Sequence, residues 1–180
     1  MKKIVIGVIV GTFSLLCLAC VSQAEVIDKI VAILDQDLIL LSEIREQIAK
    51  PETLIIANIQ TSSQPEQDAL PYLLERWLLE REIQYLASPK EMERMKELAL
   101  TYLALAYKHG TAEELLNKLQ QAGISEASIE NELMLYMKGM DYIRRKHRFS
   151  ADIDTPQVVL ELFQDWIKTL NANAKFQMIP

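Results

Sequence analysis

Trp166-Ile-Lys-Thr-Leu-Asn-Ala-Asn-Ala-Lys-Phe-Gln-Met-Ile-Pro180 changes period within fifteen residues. Trp166 and Leu170 continue a helical stripe begun by Val159 and Phe163. Asn171 and Asn173 then read as its break, and residues 174–179 as a short strand. A lone strand needs a partner, because buried main-chain donors and acceptors must be paired. The other strand-like stretches lie far away in sequence, at residues 26–34 and 38–41, on either side of the polar turn Asp35-Gln-Asp37. Two apolar, β-branched runs around so short a loop read as a hairpin. Pairing the last strand with this hairpin brings the two ends together in one small sheet. The expected fold class is therefore mainly α, a helical core with a small antiparallel β-sheet, and one closed module.

Between the ends the pattern is helical. Ser42 reads as an N-cap, with Glu43 favourable at the positive end of a helix that Pro51 stops near Lys50. Leu54-Ile-Ile-Ala57 either extends that helix or packs as a turn, and Gln60-Thr-Ser-Ser-Gln64 is a polar linker. Pro65 opens a helix carrying Leu70, Leu73, Leu74, Trp77, Leu78 and Leu86, with Pro71 able to delay its start. Ser88-Pro-Lys-Glu91 and Thr111-Ala-Glu-Glu114 read as capping boxes, and Gly123 as a helix stop. A long helix follows over residues 125–148, with the stripe Ile129, Leu133, Tyr136, Met140 and Ile143. Thr155-Pro156 starts the last one. No tandem repeat is present.

Residues 1–24 read as a signal peptide: Lys2 and Lys3, an apolar run over 4–18, and Ser22-Gln-Ala24 before the cleavage point. A lipoprotein signal ending at Cys20 is the alternative, although Cys17 stands where Leu is usual. A third reading is an uncleaved anchor, but the run falls short of the ~20 residues a span needs. Cleavage after Ala24 leaves residues 25–180 as one domain, with 17 basic groups against 25 acidic, a net charge of −8. Such a chain does not attract nucleic acid in bulk. Both cysteines lie in the leader, so the processed chain has no disulfide and no thiol chemistry.

Three segments in the same order resemble the SurA family of periplasmic chaperones. These are residues 26–44, with Val26-Ile-Asp-Lys-Ile-Val-Ala-Ile-Leu34 leading through a turn to a strand and the Ser42 helix; Gly123-Ile-Ser-Glu-Ala-Ser-Ile-Glu-Asn-Glu-Leu133; and Trp166-Ile-Lys with Ala174-Lys-Phe-Gln-Met-Ile179. The resemblance covers most of the processed chain, with residues 25–149 as the N-terminal part and 155–180 as the closing helix and strand. It implies an ATP-independent holdase of the periplasm for unfolded outer-membrane or secreted polypeptides, needing no cofactor. The family's parvulin-type isomerase domain is missing, since only residues 149–155 separate the last two helices. The processed chain has only Gly110, Gly123 and Gly139, and only His109 and His147. Prolyl isomerase activity is accordingly not expected, and no enzyme motif replaces it. No zinc-ligand spacing, nucleophile elbow or phosphate loop occurs. The carboxylates Glu113-Glu114 and Glu130 with Glu132 fall on polar helix faces.

His109, before Gly110, reads as a capping or exposed side chain, and His147 belongs to the basic last turn Arg144-Arg-Lys-His-Arg148. That turn complements a helix dipole, with an anionic lipid or acidic partner as the alternative. Membrane attachment is expected only with lipidation at Cys20. The methionines and tyrosines Met92, Met95, Tyr102, Met134, Tyr136, Met137 and Met140 have two readings. They are core, or they form a plastic client-binding surface, since thioethers adapt to many apolar partners. Met134 and Met137, beside the main stripe of their helix, are the pair expected to be most exposed. The alternative to a holdase is an assembly or scaffold subunit for one envelope partner, with a strand-swapped homodimer as its form.

Overall fold

Asp35 ties the two ends of the chain together. It holds the left-handed φ of 57° that a two-residue hairpin turn demands. Its N–H donates to the Lys175 carbonyl at 2.8 Å, and its Oδ1 accepts the Lys175 N–H at 2.8 Å. Its Oδ2 accepts from Arg81 Nη1 at 2.7 Å. The Lys175 N–H and then the Arg81 guanidinium hold the Asp35 carboxyl below its usual range.

A computed structural model describes residues 28–179. The chain is mainly α-helical with one three-stranded antiparallel sheet. Strands β1 (Ile30–Leu34) and β2 (Asp37–Leu40) form the hairpin, and β3 (Phe176–Met178) closes on the other side of β1. The order is β2-β1-β3, so the closing strand pairs with the first strand alone. Leu34 faces Phe176 and Ala32 faces Met178. The register of β1 on β2 shifts between Ile30 and Ala32. The leader, both cysteines and the first residues expected in the strand lie outside the described residues.

Among the described residues eight helices fill the space between the strands: α1 (Leu41–Ile48), α2 (Pro51–Ile56), α3 (Pro65–Asp68), α4 (Leu70–Ile83), α5 (Met92–Ala106), α6 (Ala112–Gln121), α7 (Glu126–His147) and α8 (Pro156–Asn173). Several starts follow the expected chemistry. The Thr111 hydroxyl accepts the Glu114 N–H and the Ser125 hydroxyl accepts that of Ser128, each cap worth about 1 kcal/mol. Proline occupies the first turn of α2, α3, α4 and α8, where its missing N–H costs nothing. Gly123, at a φ of 77°, ends α6.

Three expectations at helix ends are corrected. Ser42 is inside α1 rather than its cap. Asp28, fourteen residues earlier, accepts both the Ser42 N–H at 3.2 Å and its hydroxyl, while Glu43 Oε2 accepts the Leu40 N–H at 2.9 Å. Ser88 caps nothing; α5 starts at Met92, because Glu91 is drawn into ion pairs with Arg144 at 3.2 Å and Arg94 at 3.4 Å. Asn171 and Asn173 do not break the last helix, since Asn171 Nδ2 bonds back to the Ile167 carbonyl at 3.0 Å and α8 runs to Asn173. Leu86, expected on α4, follows its end.

Helix α7 is the axis of the core and packs against α4, α5 and α8. Its whole expected stripe is buried. Gly139 lets α8 approach: a Cβ there would lie 2.8 Å from Phe163 Cε2 and 3.2 Å from Trp166 Cζ3.

Candidate functional site

Five of the seven methionine and tyrosine candidates are core. Met95, Tyr136, Met137 and Met140 have no exposed surface, and Tyr102 keeps 4%. Met92 and Met134 are half-buried, and Met92 packs against the same cluster. The expectation of an exposed Met137 is therefore corrected. A stripe argument assumes one covered face, whereas α7 has neighbours on three sides, so the position beside the stripe is covered too. Tyr102 packs edge-on to Phe163 at 4.9 Å and tilted on Tyr136 at 5.8 Å. No ligand reaches these rings without opening the core.

Among them sits a carboxylate that the sequence reading missed. Glu75, on α4, is 8% exposed and accepts the Tyr102 hydroxyl at 2.8 Å. Among the described residues its other oxygen and the Tyr136 hydroxyl meet no partner in hydrogen-bonding geometry, although the Tyr136 and Tyr107 hydroxyls lie close enough to act on the carboxyl. Burial pushes the Glu75 carboxyl up to about 7, against the lowering effect of the tyrosine hydroxyls around it. At the next residue, Arg76 Nη1 reaches Glu132 Oε1 at 2.6 Å, and the Tyr72 hydroxyl donates to the same oxygen at 2.6 Å. Glu132 is thus a core partner rather than part of a polar face. Arg76 neutralises it, and Glu75 is left with hydroxyls alone. The available signal was the apolar company of Glu75 one turn before and after it on α4, at Tyr72, Leu78 and Leu79.

His109 is likewise corrected from a capping or exposed side chain to a buried one, at 3% exposure. Its Nε2 donates to the Ile56 carbonyl at 2.8 Å, leaving Nδ1 to accept from Lys118 at 3.4 Å. Burial first, and the Lys118 charge after it, lower its proton affinity. Its main-chain N–H closes α5 on the Ala104 carbonyl at 2.8 Å, with Lys108 at a φ of 60° in the position usual for glycine.

The open chemistry is at the sheet. Ile179 donates to the Val31 carbonyl and Asp35 to that of Lys175, so odd-numbered positions of β3 face β1. Phe176 and Met178 turn their main-chain groups outwards, and the two residues are 39% and 44% exposed. On the other edge, the paired positions Ala32–Ile39 and Leu34–Asp37 direct Asp37 and Ile39 to β1. Leu38 then presents its N–H and C=O outwards, and the residue is 54% exposed. Beside it lies a cleft of about 380 Å³ between β2, α4 and α1, walled by Leu34, Ile39 and Trp77 and rimmed by Asp37, Glu43 and Glu80. Arg81, at its margin, is held by Asp35. An apolar wall beside an unpaired strand is suited to an extended chain: main-chain bonds give affinity and the wall takes alternate side chains.

Among the described residues, no three His, Cys, Asp or Glu side chains converge as a metal site requires. No helix among them is long and apolar enough to cross a membrane. No protein-family model matches the chain, and neither a curated protein nor a solved structure matches it.

Proposed function

We propose that the chain is an ATP-independent periplasmic holdase that captures unfolded outer-membrane or secreted polypeptides, without a cofactor, covalent chemistry or prolyl isomerisation. The observation that carries this reading is the outward main chain of Leu38 above the cleft walled by Leu34, Ile39 and Trp77. Outer-membrane strands alternate apolar and polar residues, and one such strand added to β2 would lay its alternate apolar side chains on that wall. The three segments that resemble the SurA family support the same reading. Client contact rests on the sheet edge and not on the buried Met and Tyr cluster. The test is light scattering of a urea-diluted outer-membrane β-barrel protein and of an unrelated unfolded protein, without ATP. Suppression of both at near-stoichiometric ratios is expected, and none at a large excess would refute the reading.

The second reading is an assembly subunit with one folded partner or a second copy. The half-exposed Phe176 and Met178 on the open edge of β3 favour it. Nanomolar binding of a single envelope protein, with no effect on unfolded chains, is the outcome it predicts.

A further inference from the structure

The corner between α5 and α6 carries a second groove, of about 720 Å³. Its floor is Leu100, Ala112 and Leu116, and its walls carry Glu93 and Glu97 on α5 and Glu113 on α6. The two cations at its margin are already committed. Arg94 turns to Glu91 and to the Ile153 and Asp154 carbonyls, and Lys96 lies between Glu126 at 2.9 Å and Glu130 at 3.4 Å. Among the described residues Glu93, Glu97 and Glu113 form no ion pair within 4.0 Å. Glu93 and Glu97 are also one helical turn apart on α5, a like-charge spacing that costs a helix stability. Three unneutralised carboxylates above an apolar floor form a surface complementary to cations carried on an apolar segment.

We infer that this groove docks a cationic amphipathic polypeptide segment. An apolar side chain of the segment covers Leu100, Ala112 and Leu116, and flanking Lys or Arg side chains meet Glu93, Glu97 and Glu113. The site is built from different elements than the cleft at β2, so it stands whether or not that cleft binds. It gives the chain a preference by charge: segments with Lys or Arg around apolar residues are held, and acidic segments of equal hydropathy are turned away.

The test is fluorescence anisotropy with two labelled helical peptides that repeat Leu at three- and four-residue spacing, one with Lys and its counterpart with Glu at the positions between, so that neither presents the alternating strand that suits the β2 edge. The purified protein is compared with the triple variant E93Q/E97Q/E113Q and with Leu38→Lys at the β2 edge. All four replaced side chains are exposed, and thermal melts confirm that the variants fold. The Lys peptide is expected to bind the unaltered protein and the Leu38 variant alike. It binds the triple variant about tenfold more weakly, as loss of three exposed charge pairs implies. Raising the salt to about 0.5 M, where charges are screened within a few ångströms, should produce a similar loss. Equal binding of the Glu peptide, an unchanged affinity in the triple variant, no binding of the Lys peptide, or a loss in the Leu38 variant instead would each overturn the assignment.

Discussion

Replacing Glu75 by Gln tests the reading of the core most sharply. In the folded chain the carboxyl titrates near 7 because it is buried with only hydroxyls beside it, whereas its ordinary value is 4.5. Between those two values the folded chain keeps a proton that the unfolded chain has released. Stability is therefore highest below the ordinary carboxyl range and is lost as pH rises to about 7. At about 1.4 kcal/mol per tenfold change in proton affinity, an ionised Glu75 costs the fold about 3 kcal/mol at pH 8. Gln keeps an acceptor for Tyr102, offers a donor to the unpaired Tyr136 hydroxyl, and has no charge to bury. The tyrosines around it titrate far above this range, and Arg76 stays charged in partnership with Glu132. His109 works in the opposite sense, favouring the fold above its ordinary 6.5, so variant and parent are compared at the same pH. Urea unfolding at pH 5 and pH 8 is the assay. The variant should equal the parent within about 1 kcal/mol at pH 5 and exceed it by about 3 kcal/mol at pH 8. A variant no more stable than the parent at pH 8 would refute the claim that Glu75 is an uncompensated buried acid.

Gly139→Ala places a methyl group 2.8 Å from the Phe163 ring, so unfolding experiments should show a loss of about 1–3 kcal/mol in spite of alanine's better helix propensity. A gain in stability would mean that α7 and α8 do not approach as closely as described. Asp35→Ala removes the acceptor for the Lys175 N–H and for Arg81, so amide exchange should quicken across β3 and leave α7 unchanged. Uniform quickening would mean that Asp35 supports the whole fold and not the closure alone. Leu38→Lys should abolish aggregation suppression without moving the thermal midpoint, because it charges an edge strand whose side chain already lies in solvent.

The closing sheet was legible because a period change at each end left strands with no other partners, while the pairing of β3 with β1 alone was not, since either edge of the hairpin offers the same main-chain groups. Thr111, Ser125 and Gly123 marked real helix ends, as local side-chain chemistry suffices there. Ser42 misled for a tertiary reason: its role is taken by Asp28, which only the folded hairpin brings close. The same holds for Glu91, which Arg144 draws across from α7. The Met and Tyr candidates were found as a cluster, but periodicity alone could not assign Met137 to the inside of a helix covered on three sides. Neither Glu132, which reads as part of a polar helix face, nor Glu75 carries a sequence sign of its partner. Only the packing of α4 on α7 gives one a guanidinium and denies it to the other. That a sheet edge could pair with another chain was legible from the strands alone, but its place at Leu38 was not, because strand order decides which main-chain groups stay unpaired.

Amide hydrogen exchange at Leu38, with and without an unfolded outer-membrane protein, tests sheet-edge capture most directly. Capture of an extended segment on β2 predicts that the outward Leu38 N–H becomes protected while the already paired amides of α7 do not change. Client binding that leaves Leu38 exchanging at its free rate would contradict the account.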